Sequence, residues 1–395
     1  MGRINPLGAG EPGRLYYLDW LRVLAVLGVF YAHALFIFNL LCWHVNGGRA
    51  NALVVFGTEW GMALFFFLAG ASAWFSLNSR TGEQFIRERF ARLAIPFGVG
   101  ILLLSPAQGF LLGVGRPAYQ GSFFQYYPYF FSHIRLEWNP QLLAAYGFHL
   151  WFLAFLFLFS LIALALFLFL KGSTGQRIAA FLSAFCTHRG GFFLLLLPLA
   201  LIQLALRPIF PAYQGWTDFF VWFVYFVYGY LLLSNAQFVK SLQKYGGIAL
   251  LVGVASMGLL LVTMYGPDFL ALWDDAPGYS FTYELYQLLW TVIGWSWMLF
   301  VLFFGIRSLD VDNRTISYLN EAILPFYVLH YFVIVLITSL LTSWNLPLLL
   351  KFLIASTLSL AGTLMVYELV VRHIPVVRWL FGMKQKKVQG QEVLE

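Results

Sequence analysis

Asp19, Arg22 and His33 stand in and beside the first long apolar stretch of the chain, Leu21 to Cys42. Ionisable groups are expensive to hold in lipid, so each of them needs a chemical reason to be there. Arg22 and His33 are 11 residues apart. At about 3.6 residues per turn that is almost three whole turns, which puts both on one helix face, roughly 16 Å apart along the axis. Asp19 lies one turn before Arg22, in ion-pairing reach. A guanidinium near the membrane surface and an imidazole at mid-depth on the same face favour a path for a charged substrate. A neutral imidazole can act as a base toward a hydroxyl or as a nucleophile, and the residues leave both roles open. Taken singly, each has a plainer reading: an arginine snorkelling to the interface, a histidine bonded to a neighbouring helix.

Two further groups extend this set. Arg87, Arg89 and Arg92, with Arg80 close before them, form a cationic cluster around Glu88. Such a cluster suits phosphates, although positively charged loops on one membrane side are common without any ligand. His149 opens one later helix and His330 lies near the middle of another, so three histidines from three helices are expected to converge. Glu321 lies nearer the cytoplasmic end, where it either pairs with an arginine of the loops or shapes the path of a substrate. No metal-ligand spacing is present.

The elements that position these residues are read from hydropathy. Hydrophobic residues make up 61% and charged residues 10% of the 395, and the mean hydropathy is +0.78. Soluble domains carry roughly 25% charged residues. The fold class is therefore all-α: a polytopic membrane protein of about ten helices, each near the ~20 apolar residues a crossing needs. They are predicted near 16–42, 57–77, 93–115, 146–170, 191–207, 217–234, 246–266, 281–304, 320–343 and 348–371. Residues 1–381 read as a single membrane domain, and 382–395 as a basic, disordered cytoplasmic tail. The first run is too long for a signal-peptide core, so no cleavable signal is expected. Of the 24 Lys and Arg, 18 fall in segments on one side, five on the other, and Arg22 in the first helix. This imbalance predicts both termini in the cytoplasm. The net charge of +7 is spread through these short segments, which argues against nucleic-acid binding. Cys42 and Cys186 fall on opposite sides and are not expected to pair. The aromatic run Ser122–Phe131 in the largest outer loop fits the interfacial belt, or a platform for a sugar or lipid acceptor. No internal repeat suggests paired transporter halves.

Several of these motifs resemble those of one family. Leu18-Asp19-Trp20-Leu21-Arg22 followed by His33 matches the Arg-x10-His motif that opens the membrane-bound acyltransferase 3 family. Phe65-Phe66-Phe67-Leu68-Ala69-Gly70 resembles its second-helix run, which usually reads Phe-Phe-x-Leu-Ser-Gly; here Ala69 stands in place of Ser. Phe85 to Leu93 resembles its arginine-rich cytoplasmic segment. His149-Leu150-Trp151-Phe152-Leu153 and Asn320-Glu321-Ala322 with Pro325 to His330 are similar to two later elements. The elements run in the family's order from residue 18 to 330, and the late one looks most like the glucan biosynthesis protein C branch. The resemblance implies an O-acyltransferase of the inner (plasma) membrane. Acyl-CoA would be its co-substrate, acetyl or succinyl the acyl group, and a glycan or glycolipid the acceptor, with no bound cofactor. His33, Arg22 and Asp19 would be catalytic. Arg87, Arg89 and Arg92 would bind the donor, and His149, Trp151, Glu321, Tyr327 and His330 would serve the acceptor or support the site. The rival reading is a glycan or lipid transporter that uses the same intramembrane charges. The sequence leaves the oligomeric state open.

Overall fold

The computed structural model describes residues 15–43, 48–113, 121–132, 139–188, 190–265 and 277–384. Among these there is no strand. The helices are α1 (Tyr16–Trp43), α2 (Gly48–Asn78), α3 (Gly82–Leu112), α4 (Phe123–Ser132), α5 (Pro140–Lys171), α6 (Ser173–Phe185), α7 (Gly191–Leu206), α8 (Trp216–Leu233), α9 (Ala236–Tyr265), α10 (Phe281–Ser308), α11 (Arg314–Leu341), α12 (Leu348–Val371) and α13 (Pro375–Leu380). Nine of the described helices are long and apolar enough to cross a membrane; α7 is a shorter apolar helix. A five-residue 3₁₀ opening and 11 α-helical residues make α7 roughly 26 Å long, close to the ~30 Å hydrocarbon core. Leu15 and Lys384, the first and last described residues, line one cavity and so share one end of the bundle.

The arginine-rich segment expected as a loop is helical. Thr81 and Gln84 form a reciprocal capping box, with Thr81 Oγ1 accepting from the Gln84 amide at 3.2 Å and Gln84 Oε1 accepting from the Thr81 amide at 3.1 Å. From there α3 runs 31 residues, with wide π-helical turns at Phe90–Ala94 and Gly100–Leu104. The core sits where α2, α5, α8 and α10 meet, around Phe66, Trp151 and Trp222. The tightest approach is between α2 and α8. A Cβ on Gly70 would stand 1.9 Å from the Phe226 carbonyl oxygen, and one on Gly229 1.8 Å from that of Phe67. Reciprocal glycines thus let the two backbones touch, as small residues do at membrane helix contacts. α1 packs against α2, α10 and α11. It is thereby placed to present Arg22 and His33 to the interior.

Both cysteines are free. Cys186 is buried beside Leu182, and desolvation pushes its thiol up to about 12. In α4, Tyr126 and Phe130 are buried against α3, Phe124 faces outward, and the Tyr127 hydroxyl donates to the Leu102 carbonyl at 2.9 Å. This one-sided aromatic helix suits the interfacial belt. Residues 385–395, most of the tail expected to be disordered, lie outside the described residues, as do the side chains of Arg49, Arg116 and Arg135.

Candidate active site

A cavity of about 590 Å³ opens at the charged end of the bundle. Its wall carries Asp19, Arg22, Ser72, Arg80, Glu88, Arg89, Arg92, Asn320 and Lys384, and its inner part is lined by Val26, Phe65, Phe152 and Tyr327. It is thus charged at the mouth and apolar within. Asp19 accepts from Arg22 Nη1 at 2.8 Å, and Arg22 Nη2 donates to Ser72 Oγ at 2.7 Å. Glu88 holds two cations, Arg80 at 3.4 Å and Arg92 at 3.6 Å. Arg89 lies with its guanidinium carbon 4.9 Å above the Phe85 ring, and its Nε is buried without a hydrogen-bond partner. Cation–π contact orients this guanidinium without neutralising it.

Tyr327 forms the floor. Immediately beyond it lie the three histidines, with ring centroids 5.5 Å apart for His33 and His330, 5.0 Å for His149 and His330, and 6.2 Å for His33 and His149. Tyr331 fills the centre, stacked on His149 and edge-on to His33, each at 4.9 Å. Two local irregularities bring them together. In α5 the chain breaks at Phe148, whose φ of +47° lies in a region costly for a bulky residue, on the order of 1–3 kcal/mol. The break turns the next side chain, His149, inward, and its Nε2–H donates to the carbonyls of Tyr327 at 3.0 Å and Val328 at 3.2 Å. The Tyr327 hydroxyl donates back to the His149 carbonyl, which clamps α5 to α11 in both directions. In α11, Pro325 interrupts the amide ladder. Two residues later the Tyr327 carbonyl also accepts from His330 Nδ1 at 2.7 Å.

These carbonyls fix the tautomers, because a carbonyl can only accept. His149 therefore keeps its lone pair on Nδ1 and His330 on Nε2. Both atoms are buried, and neither has a hydrogen-bond partner among the described residues. His33 is the partly exposed member of the three. The cluster thus offers unclaimed basic nitrogens, which is the requirement for accepting a proton from an incoming hydroxyl. Among the described residues, no group of three or more His, Cys, Asp or Glu is arranged to hold a metal.

The other residues singled out in the sequence fall in different places. Arg89 and Arg92 line the cavity; Arg87 is exposed and does not. Because the segment is a helix rather than a loop, its three arginines cannot share one face. Glu321 also lies off the cavity wall, bound to Arg378 at 3.1 Å. Trp151 stacks on Trp222 at 4.8 Å within the core and supports α5 rather than the cavity. Ser72 was not singled out, yet it binds Arg22. Its signal was present: it follows Ala69 by three residues, so both face one wall, and both line the cavity.

Residues 15–368 match the profile of the acyltransferase 3 family, described as an acyltransferase domain. The chain is 25% identical over 391 residues to the glucans biosynthesis protein C of Salmonella schwarzengrund (strain CVM19633), covering 94% of this chain and 95% of that one. It is equally similar to the proteins of that name from Salmonella agona (strain SL483), over 391 residues, and Salmonella enteritidis PT4 (strain P125109), over 390, with the same two coverages. No solved structure matches. With a profile match over nearly its whole length, on a bundle of membrane-crossing helices, the chain belongs to the acyltransferase 3 family and is a multi-pass membrane O-acyltransferase.

Proposed function

We propose that the protein moves an acetyl or succinyl group from cytoplasmic acyl-CoA to a hydroxyl of an extracytoplasmic glycan or glycolipid, across the inner (plasma) membrane. The observation that carries this reading is the single cavity that starts among Arg22, Arg80, Arg89 and Arg92 and ends at Tyr327, against the histidine cluster. Phosphates of a coenzyme A thioester suit the cationic mouth. The extended pantetheine arm suits the apolar interior, and the thioester then arrives beside the rings. The charge imbalance supports a cytoplasmic mouth and cytoplasmic termini. The relatives' name supports a glucan as the acceptor.

His33 takes the proton from the acceptor hydroxyl. The freed oxygen attacks the thioester carbonyl, the carbon–sulfur bond breaks, and the coenzyme A thiolate leaves and takes up the proton. His149 and His330, held in fixed tautomers by backbone carbonyls, keep His33 in place and orient the hydroxyl with their free lone pairs. Asp19 and Ser72 hold Arg22 over the donor path. No resident cofactor is needed.

The test is thiol release from acetyl- and succinyl-coenzyme A by the purified protein in lipid, with and without a glucan acceptor. Acceptor-dependent release is expected. A wild-type protein that releases no thiol with either donor, while glycan or lipid crosses the membrane, would overturn the reading in favour of transport.

A further inference from the structure

The chain does not simply trail away after its last crossing. Beyond α12 it turns and forms α13, with Arg378 buried at its centre. Arg378 Nη1 donates to the Arg372 carbonyl at 3.0 Å, while Nη2 donates to Glu321 Oε1 at 3.1 Å and to the Lys384 carbonyl at 2.9 Å. The Met383 amide returns to the Arg378 carbonyl at 2.9 Å, and the Met383 side chain is buried with Ala322, Leu329, Tyr367 and Val371. Gly382 has a φ of +69°, and a Cβ there would meet the Arg92 carbonyl oxygen at 2.9 Å and Leu324 at 2.8 Å. The segment therefore crosses from α12 to α3, lies directly on the backbone of a cavity-lining arginine, and ends with Lys384 in the cavity wall. A buried arginine spent on the carbonyl of Lys384 fixes where that residue stands.

Charge accounting at the mouth gives this placement a purpose. Arg22 is paired with Asp19, and Arg80 and Arg92 share Glu88. Among the described residues, Arg89 and Lys384 have no carboxylate at ion-pair distance. Two cations without such a partner on opposite sides of the cavity rim, one from α3 and one from the C-terminal segment, attract a ligand with more than one anionic group. We propose that residues 372–384 form a wall of the donor site and that Lys384 binds a phosphate of coenzyme A. This rests on the donor reading above.

The experiment is titration of coenzyme A into the full-length protein in phosphatidylcholine nanodiscs, where no anionic lipid headgroup competes for the lysine. Pantetheine, which lacks the phosphates, serves as the comparison ligand. Lys384→Gln is expected to weaken coenzyme A binding about tenfold, the effect of one charge-assisted contact, and to leave pantetheine unchanged. Lys384→Arg should stay near wild type. Gly382→Ala, which must lift the segment off Arg92, should weaken coenzyme A binding in step. If Lys384→Gln binds coenzyme A as tightly as wild type, the proposal is overturned while the donor reading stands. If Gly382→Ala alone loses affinity, the role given to Lys384 is overturned. If the wild type binds coenzyme A no better than pantetheine, it is the donor reading itself that fails.

Discussion

Two arginine clusters at opposite ends of the bundle, one around Arg207 and one at the cavity mouth, are built differently. At the end opposite the cavity, Arg207 donates from Nε to Gln203 at 2.9 Å and from Nη2 to Asp218, while the second Asp218 oxygen accepts from the Gln214 amide at 2.7 Å. Thr217 ties the same turn to the Phe210 carbonyl at 3.0 Å. Arg207 and Asp218 are 9% and 5% exposed, and each major polar atom is spoken for. This is a lock that shapes the turn between α7 and α8. At the cavity end the Glu88 ion pairs are more exposed and, among the described residues, Arg89 has no carboxylate at ion-pair distance and two histidine nitrogens have no hydrogen-bond partner. A charge inside a membrane bundle therefore does not by itself mark a site. The mark is polar capacity left over after the protein's own groups have been paired.

The largest effect expected from this contrast is at His33. His33→Gln keeps volume and hydrogen bonding but cannot take up a proton, so acyl transfer should fall about 10²- to 10⁴-fold with unchanged folding. Thiol release from acyl-CoA measures it; near-full activity would move the base to His149 or His330. Label from radioactive donor trapped without acceptor would instead mark His33 as the acyl carrier.

The lock should behave in the opposite way. Arg207→Met leaves Asp218 buried and uncompensated, which should cost about 3–5 kcal/mol of stability. Turnover per folded molecule should not change. The pair Arg207→Met with Asp218→Leu should recover most of the loss, because both charges go together. Thermal unfolding in detergent, read beside kcat, separates this from a catalytic defect, and a fall in kcat at full stability would move the lock into the site.

A third test divides the arginine cluster itself. Arg89→Ala should raise the donor KM about 10- to 100-fold, corresponding to ~1.5–3 kcal/mol for a charge-assisted contact. Arg92→Ala should do so less, because Glu88 already offsets part of its charge. Arg87→Ala, on the exposed face, should fall within about 0.5 kcal/mol of wild type. Equal effects at all three positions would return the cluster to a general surface field.

Much of this was legible beforehand for simple reasons. Apolar length reveals membrane helices, and the spacing of Arg22 and His33 puts them on one face whatever surrounds them. The three histidines were visible as intramembrane polar groups on three helices. The division between Arg87 and its neighbours was not, because it depends on α3 starting at a capping box before the apolar run, where hydropathy gives no signal. The Arg207–Asp218 lock was hidden because the two residues stand 11 apart in sequence, and only the tight turn with its φ of +62° at Gln214 brings them together. Lys384 was read with a polar tail, since nothing local announces that Arg378 will be buried and hold its carbonyl. Phe148 carries no sign of its backbone conformation, which is imposed by the packing around His149.

The smallest expected effect bears most directly on which kind of cluster Arg22 belongs to. Ser72 Oγ accepts from Arg22 and donates to the Leu68 carbonyl, each at 2.7 Å. Ser72→Ala removes one neutral-to-charged bond at a partly exposed position, so the cost should be about 1 kcal/mol, or roughly fivefold in kcat/KM for the donor. The related family run usually carries serine where this chain has Ala69, three residues earlier and on the same cavity wall. A hydroxyl there approaches Arg22 from the neighbouring turn of α2. Ala69→Ser added to Ser72→Ala should therefore restore donor kcat/KM to within about twofold, while Ala69→Ser alone should do little, a pattern a double-mutant cycle resolves. If Ser72→Ala instead lowers the melting temperature and leaves donor kcat/KM untouched, Arg22 is a structural tie of the same kind as Arg207, and the donor path must be held by Arg89 and Arg92 alone.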